Sequence, residues 1–203
     1  MSERARVVSL LGEYLPQVYA RIAGHSAPVG LTYADSVTKT PNLAPDEQQN
    51  LWSDPDSLTA AFRQVLVQRR ADEARRGVNL VGPHRDELEL HLHGLPVKGF
   101  ASHGESWSYA LSLRLAEFSL LRENFADAPV LLLDDVFAEL DEQRRAALLW
   151  AIDQADQVFI TSATGTEIPD ALHAAFYRVT LDPETRESSV ETLGQGAAPD
   201  FLQ

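Results

Sequence analysis

Apolar residues at Val7, Leu10, Leu11, Leu15 and Val18 recur at helical intervals, which predicts one helix from about Ser2 to Ala23, stopped by Gly24. "VGLTYADSV" follows as a strand, and "TKTPNLAPDEQQNLWSDPD", crowded with Pro, Asn and Asp, predicts a loop. A second helix is expected from near Ser57, a candidate cap, to about Gly77, with Leu58, Ala61, Phe62, Val65 and Leu66 facing inward. The period then changes to two. In "DELELHLHG", Leu88, Leu90 and Leu92 point one way and Glu87, Glu89, His91 and His93 the other, the mark of a half-buried strand turned by "GLP". After "VKGFASHGES" an apolar-rich helix runs from roughly Ser106 to Glu123. From Pro129 the expected order is strand, helix, strand, helix, strand, strand: "VLLLD", "EQRRAALLWAID", "QVFIT", "IPDALHAAF", "YRVTL" and "SSVETL". That alternation implies an α/β layer around a parallel sheet, with a frayed tail, "GQGAAPDFLQ".

Composition narrows the class without fixing the function. A chain of 203 residues with 44% hydrophobic content suits one good-sized domain, or a domain plus an appendage. No apolar run approaches bilayer-spanning length, and the first residues lack the apolar core of a signal peptide, so a cytoplasmic protein is expected. The absence of cysteine excludes disulfides and thiolate metal sites. A net charge of -13 opposes non-specific binding to nucleic acid. Against that trend, Arg63, Arg69, Arg70, Arg75 and Arg76 cluster with only Asp72 and Glu73 to offset them. Such a run is either an exposed helix face or a DNA contact.

The chemistry concentrates where "VLLLDDVFAELD" sets Asp134 and Asp135 directly behind four apolar residues. Such a pair is either a strand leaving the core into a polar turn or a site for a divalent cation and a polarised water. In open α/β sheets ligands gather beyond the carboxyl ends of the strands. An acidic pair there suits Mg²⁺, whose coordination is completed by waters and phosphate oxygens. Upstream, Ser102 and Gly104 of "SHGES" precede a helix, as an ordinary cap or as an anion-facing turn. Asp141 is placed to cap the helix that begins at Glu142. His91 and His93 share a strand face with no third ligand in view, which favours a solvated face over a metal site.

Taken in order, "GPHRD", "SHGE" and "LLLDDVFAELD" resemble the RecF family of bacterial recombination mediators, within the ABC- and SMC-like ATPases. The likeness is strongest from Val81 to Asp141. It implies an α/β fold, the C-terminal half of an ABC/SMC-like P-loop ATPase head with part of a mainly helical arm domain. By this resemblance Asp134 supports Mg²⁺ and Asp135 positions the hydrolytic water. Ser102, His103, Gly104 and Glu105 form the signature loop that reaches the nucleotide of the opposite subunit. Glu139, Leu140 and Asp141 form the loop crossing the dimer interface. His103 stands where many signatures have glycine, and Ser162 holds the position often taken by a switch histidine, a departure that fits slow turnover. Arg85 of "GPHRD" either contacts phosphate or pairs locally with Asp86.

The resemblance also implies ATP and Mg²⁺ as cofactors, an ATP-dependent homodimer, DNA at gaps or single-strand–duplex junctions, and RecR and RecO as partners, away from any membrane. It divides the chain into an arm remnant with its connection (1–77), the signature and Walker B lobe (78–195) and a flexible tail (196–203). One expected part is missing from this sequence: no glycine-rich loop ends in Gly-Lys-Ser/Thr, and "VKGF" has glycine and lysine in the wrong order. The expected activity is therefore slow ATP hydrolysis in the complete family protein and none in this chain alone. The chain then reads as a fragment, a mis-started reading frame or a short form needing a partner, with a non-catalytic interaction module as the second hypothesis and the head of another SMC-like repair protein disfavoured because no long heptad arms appear.

Overall fold

In the computed structural model, residues 1–39, 43–125, 128–137, 140–163 and 172–196 are described. Packing divides the chain into two units, residues 1–128 and 129–203. The expected boundary at Gly77 falls inside the first unit, where a helix ends.

The first unit is organised by two long helices. Helix α1 (Ser2–Ala23) ends at Gly24, whose φ of 74° is the left-handed cap that glycine adopts without a Cβ penalty. It buries Leu15, Val18, Tyr19 and Ile22, so the predicted face is right in its second half, while Val7 stays partly exposed. Strand β1 (Val29–Ala34) pairs antiparallel with β2 (Glu87–Leu92), Tyr33 opposite Leu88 and Leu31 opposite Leu90. The short β3 (Leu95–Pro96) adds to the other edge of β2. Leu15, Tyr19, Leu92 and Tyr109 form a buried cluster beneath this sheet, with Leu31, Leu90 and Val97 packed against it.

Between β1 and β2 the chain departs from expectation. The stretch taken as a loop contains helix α2 (Pro45–Ser53). Pro45 stands at the first helical position, and Glu47 reaches back to accept from the Ala44 N–H at 2.8 Å. Leu51 and Trp52 then pack on a second cluster of Val37, Leu58, Val65 and Val81. Helix α3 (Pro55–Arg76) is capped by Asp54, whose carboxylate accepts from the Asp56 N–H. The expected cap, Ser57, instead lies inside the helix and donates to Asp54 at 2.5 Å. A single irregular turn, α4 (Val97–Phe100), leads to α5 (His103–Asn124), which begins three residues before the predicted start.

In the second unit β4 (Leu131–Asp134) and β5 (Val158–Thr161) pair in parallel, with α6 (Glu142–Asp153) in the connection between them. The predicted strand–helix–strand unit is therefore present, with a parallel pair at its centre. Of the helix expected at "IPDALHAAF", residues 168–171 lie outside the described part, and Ala174–Phe176 instead open strand β6 (Ala174–Leu181). β6 pairs antiparallel with β7 (Ser188–Gly196), and this ladder carries Ala174, Ala175 and Phe176 into the sheet despite their helix-favouring run.

Candidate nucleotide site

The two acids sit at the carboxyl end of the parallel pair. Asp134 is the last residue of β4 and stands in register with Thr161, the last of β5. Because side chains alternate along a strand, Asp134 shares its face with Leu132, while Leu133 points the other way and is buried. The Thr161 hydroxyl donates to Asp134 Oδ1 at 2.5 Å. Asp135 leaves the strand with a φ of 51°, in the left-handed region that a non-glycine residue enters seldom and aspartate more readily than most. Its N–H donates to the Thr161 carbonyl at 3.1 Å, and its Oδ1 accepts from the Ala163 N–H at 3.4 Å. Both carboxylates are exposed.

Thr161 thus touches both acids, through its hydroxyl and its carbonyl. It was not singled out from the sequence, although its position at the end of "QVFIT" opposite "LLLD" was the available signal. Ser162, the expected switch position, is half-buried and immediately precedes Ala163, whose N–H donates to the Asp135 carboxylate. Leu140 is buried, and Asp141 caps α6: its Oδ1 accepts from the Arg144 N–H at 2.9 Å and its Oδ2 from the Arg144 guanidinium at 2.6 Å. Glu139 lies outside the described residues.

The Ser102–Glu105 segment belongs to the first unit. Ser102 caps α5 in a reciprocal box, Oγ accepting from the Glu105 N–H at 3.3 Å while Glu105 Oε2 accepts from the Ser102 N–H at 2.8 Å. The Ser102 hydroxyl also donates to Glu105 Oε2 at 2.7 Å. These bonds hold the Glu105 carboxyl below its ordinary range, with His93 and His25 adding a smaller push. His103 is exposed at the first turn, and Gly104 follows it. Deeper in α5, the Tyr109 hydroxyl donates to the Gly30 carbonyl at 2.5 Å, and burial pushes its pKa up to about 12.

Arg85 does not pair with Asp86. Its Nε donates to the Asn79 carbonyl at 2.7 Å. The Asp86 side chain, only 1% exposed, instead accepts from the Tyr33 hydroxyl, from the Ser36 N–H at 2.9 Å and from the Ser36 hydroxyl at 3.0 Å. Burial and then this hydrogen bond raise the Tyr33 phenol above its usual range. A second buried carboxylate, Asp35, accepts from the Val37 and Thr38 N–H groups and the Trp52 indole at 2.8–2.9 Å. "GPHRD" therefore acts in part as a lock between the end of β1 and the start of β2.

The donor set at Asp134 fits magnesium. It is a hard oxygen site, one of its carboxylate oxygens is oriented by Thr161, and it lies open beyond parallel strands. Among the described residues no cluster of three or more His, Asp or Glu side chains could enclose a metal by itself.

No protein-family model matches the chain. Curated relatives do. The chain is 47% identical over 181 residues to the DNA replication and repair protein RecF of Rhodococcus erythropolis, covering 88% of this chain and 44% of the relative. It is 45% identical over 188 residues to that of Frankia alni, covering 93% of this chain and 48% of the relative. Corynebacterium jeikeium RecF is 40% identical over 200 residues, with 95% and 46% covered. The chain thus spans less than half the length of these relatives. Two solved structures share the fold. A recombination mediator protein RecF–ATPrS of the RecFOR pathway superposes with a TM-score of 0.68 at 21% identity, over 88% of this chain and 44% of that one. Its RecF–ATP counterpart gives 0.65 at 20% identity, over 95% and 46%.

Proposed function

We propose, on the premise that this chain belongs to the RecF family and corresponds to its C-terminal part, that it supplies the signature and Walker B half of an ATP-dependent clamp acting in DNA replication and repair. The observation that carries the reading is the juxtaposition of Asp134, Asp135 and Thr161 beyond the carboxyl ends of two parallel strands. In this reading Asp134, steered by Thr161, would hold Mg²⁺. The ion, when bound, supplies positive charge to the phosphate oxygens. Asp135 orients a water for in-line attack and is the catalytic residue of the chain. Its backbone enters the left-handed region at the point where the strand ends.

Ser102, His103, Gly104 and Glu105 lie at the start of a 22-residue helix, where backbone N–H groups favour an anion. They serve the nucleotide of a second subunit, and Glu139, Leu140 and Asp141 lie along the contact between subunits. Nucleotide binding then closes a homodimer on DNA, at gaps or single-strand–duplex junctions, and hydrolysis opens it. RecR- and RecO-type mediators are the partners of that cycle. The division into an arm remnant (1–77), head lobe (78–195) and tail (196–203), and a cytoplasmic location, belong to the same reading.

The test is a chimera in which this chain replaces the matched part of the Rhodococcus erythropolis protein. It binds a fluorescent ATP analogue with Mg²⁺, and Asp134→Asn weakens the magnesium-dependent binding by at least about tenfold. Equal magnesium dependence in the two proteins would remove Asp134 from the site. A chimera that neither binds nor hydrolyses ATP would instead favour a second reading, an interaction module without catalysis.

A further inference from the structure

Where α3 ends, Gly77 (φ 67°) turns the chain back on itself, and its N–H donates to the Glu73 carbonyl at 2.8 Å. The returning strand of chain is pinned twice, by the Leu80 N–H on Glu73 Oε1 at 2.7 Å and by Arg85 Nε on the Asn79 carbonyl at 2.7 Å. Gly82 (φ 135°) then makes the tight turn, with the Arg85 N–H donating to its carbonyl at 2.8 Å. The result is an open cleft of about 650 Å³ lined by Arg70, Glu73, Asn79, His84 and Arg85 among others.

The charge in this cleft is unusual for so acidic a chain. Neighbouring Arg69 and Arg75 are both spent on Asp72, at 3.8 and 2.6 Å. Arg70 and Arg85 pair with no carboxylate among the described residues. Glu73, the one acid lining the cleft, has an oxygen committed to the Leu80 N–H. Arg85 is oriented through its Nε, which leaves its terminal nitrogens for a ligand. Two guanidinium groups and an imidazole around an open concave surface match a phosphate, and the openness suits a chain of phosphates passing across it.

We propose that this cleft binds a phosphate of a nucleic-acid backbone, with Arg70 and Arg85 as the contacts and His84 beside them. The inference rests on the DNA association in the reading above, and it places one contact of that association. Because the rest of the chain is strongly acidic, binding is weak, independent of sequence and steeply dependent on salt.

The experiment is fluorescence anisotropy of a labelled duplex with a single-stranded tail, titrated with the full chain over a series of sodium chloride concentrations. Arg70→Ala/Arg85→Ala is expected to weaken binding about tenfold and to reduce the salt slope by about one for each arginine. Arg75→Ala, which removes a partner of Asp72 outside the cleft, leaves the slope unchanged. Among the described residues the Arg70 side chain makes no hydrogen bond or ion pair, so Arg70→Ala alone carries the test if the double variant fails to fold. Wild-type binding that the arginine variants leave intact would overturn the cleft while leaving DNA association standing. No binding by the wild-type chain would overturn the cleft, and the clamp reading would still be decided by the chimera. A free nucleotide is the other source of phosphate. Displacement of the DNA by ATP at matched phosphate concentration, together with loss of ATP binding in Arg70→Ala, would assign the cleft to nucleotide and overturn the proposal.

Discussion

Thr161 holds the two acids in one arrangement: its hydroxyl donates to Asp134 and its carbonyl accepts from the Asp135 N–H. Thr161→Val keeps the shape and removes the hydroxyl, which donates to Asp134 and also accepts from the Asp135 N–H at 3.2 Å, while the carbonyl bond to that N–H stays. It should lower magnesium affinity in the chimera by about tenfold, as loss of an outer-shell partner typically does, while circular dichroism stays unchanged. An unchanged magnesium titration would show that Asp134 needs no orientation. Gly82 is a second residue with a definite physical demand. Its φ of 135° is open to glycine, and a Cβ there would meet the His84 ring at 3.0 Å. Gly82→Ala should destabilise the first unit by about 1–3 kcal/mol, read from urea unfolding. These roles show where sequence reading stops. The acids announce themselves behind an apolar run, but Thr161 becomes visible only when the register of β4 and β5 is known. Likewise Asp86 looked like a local partner for Arg85 until folding placed Tyr33 and Ser36 against it.

At the scale of elements, periodicity located α1, α3, β2, α5 and the β4–α6–β5 unit because each buries one consistent face. It failed where local signals competed. In "LAPDEQQNLW" the proline and acids read as a loop, yet the same residues start a helix when Pro45 occupies the first turn and Glu47 accepts from the Ala44 N–H. "DALHAAF" has helical composition, and pairing with β7 overrides it for Ala174–Phe176. The α5 start carries a pH dependence of known sign. Glu105 titrates below its ordinary range because Ser102 bonds its charged form. Its contribution is therefore present above the unfolded value and is lost as pH falls through the lower folded one. Ser102→Ala should move the Glu105 titration upward toward 4.5, measured by carboxyl NMR. No movement would mean that the histidines set the shift.

Across the whole molecule the two units differ in how well they cover their sheets. In the first, a buried cluster lies under β1 and β2. In the second, Leu132 is 71% exposed and Phe159, its register partner, 54%, although parallel strands are ordinarily covered on both faces. Tyr177, Val179 and Val190 likewise face solvent on the β6–β7 hairpin, and an isolated two-stranded hairpin is marginal in water. Hydrogen exchange should therefore be faster in β4–β7 than in α1, β1, β2 and α5. Equal protection would mean that the second unit is stabilised by something other than sheet burial.

The central claim is that Asp135 is the water-positioning acid of a RecF-type ATP site, and ATP turnover by the chimera tests it most directly. Asp135→Asn should keep nucleotide binding, lower hydrolysis by about a hundredfold and lengthen the life of the ATP-bound dimer. Hydrolysis at the unaltered rate by that variant would contradict the claim.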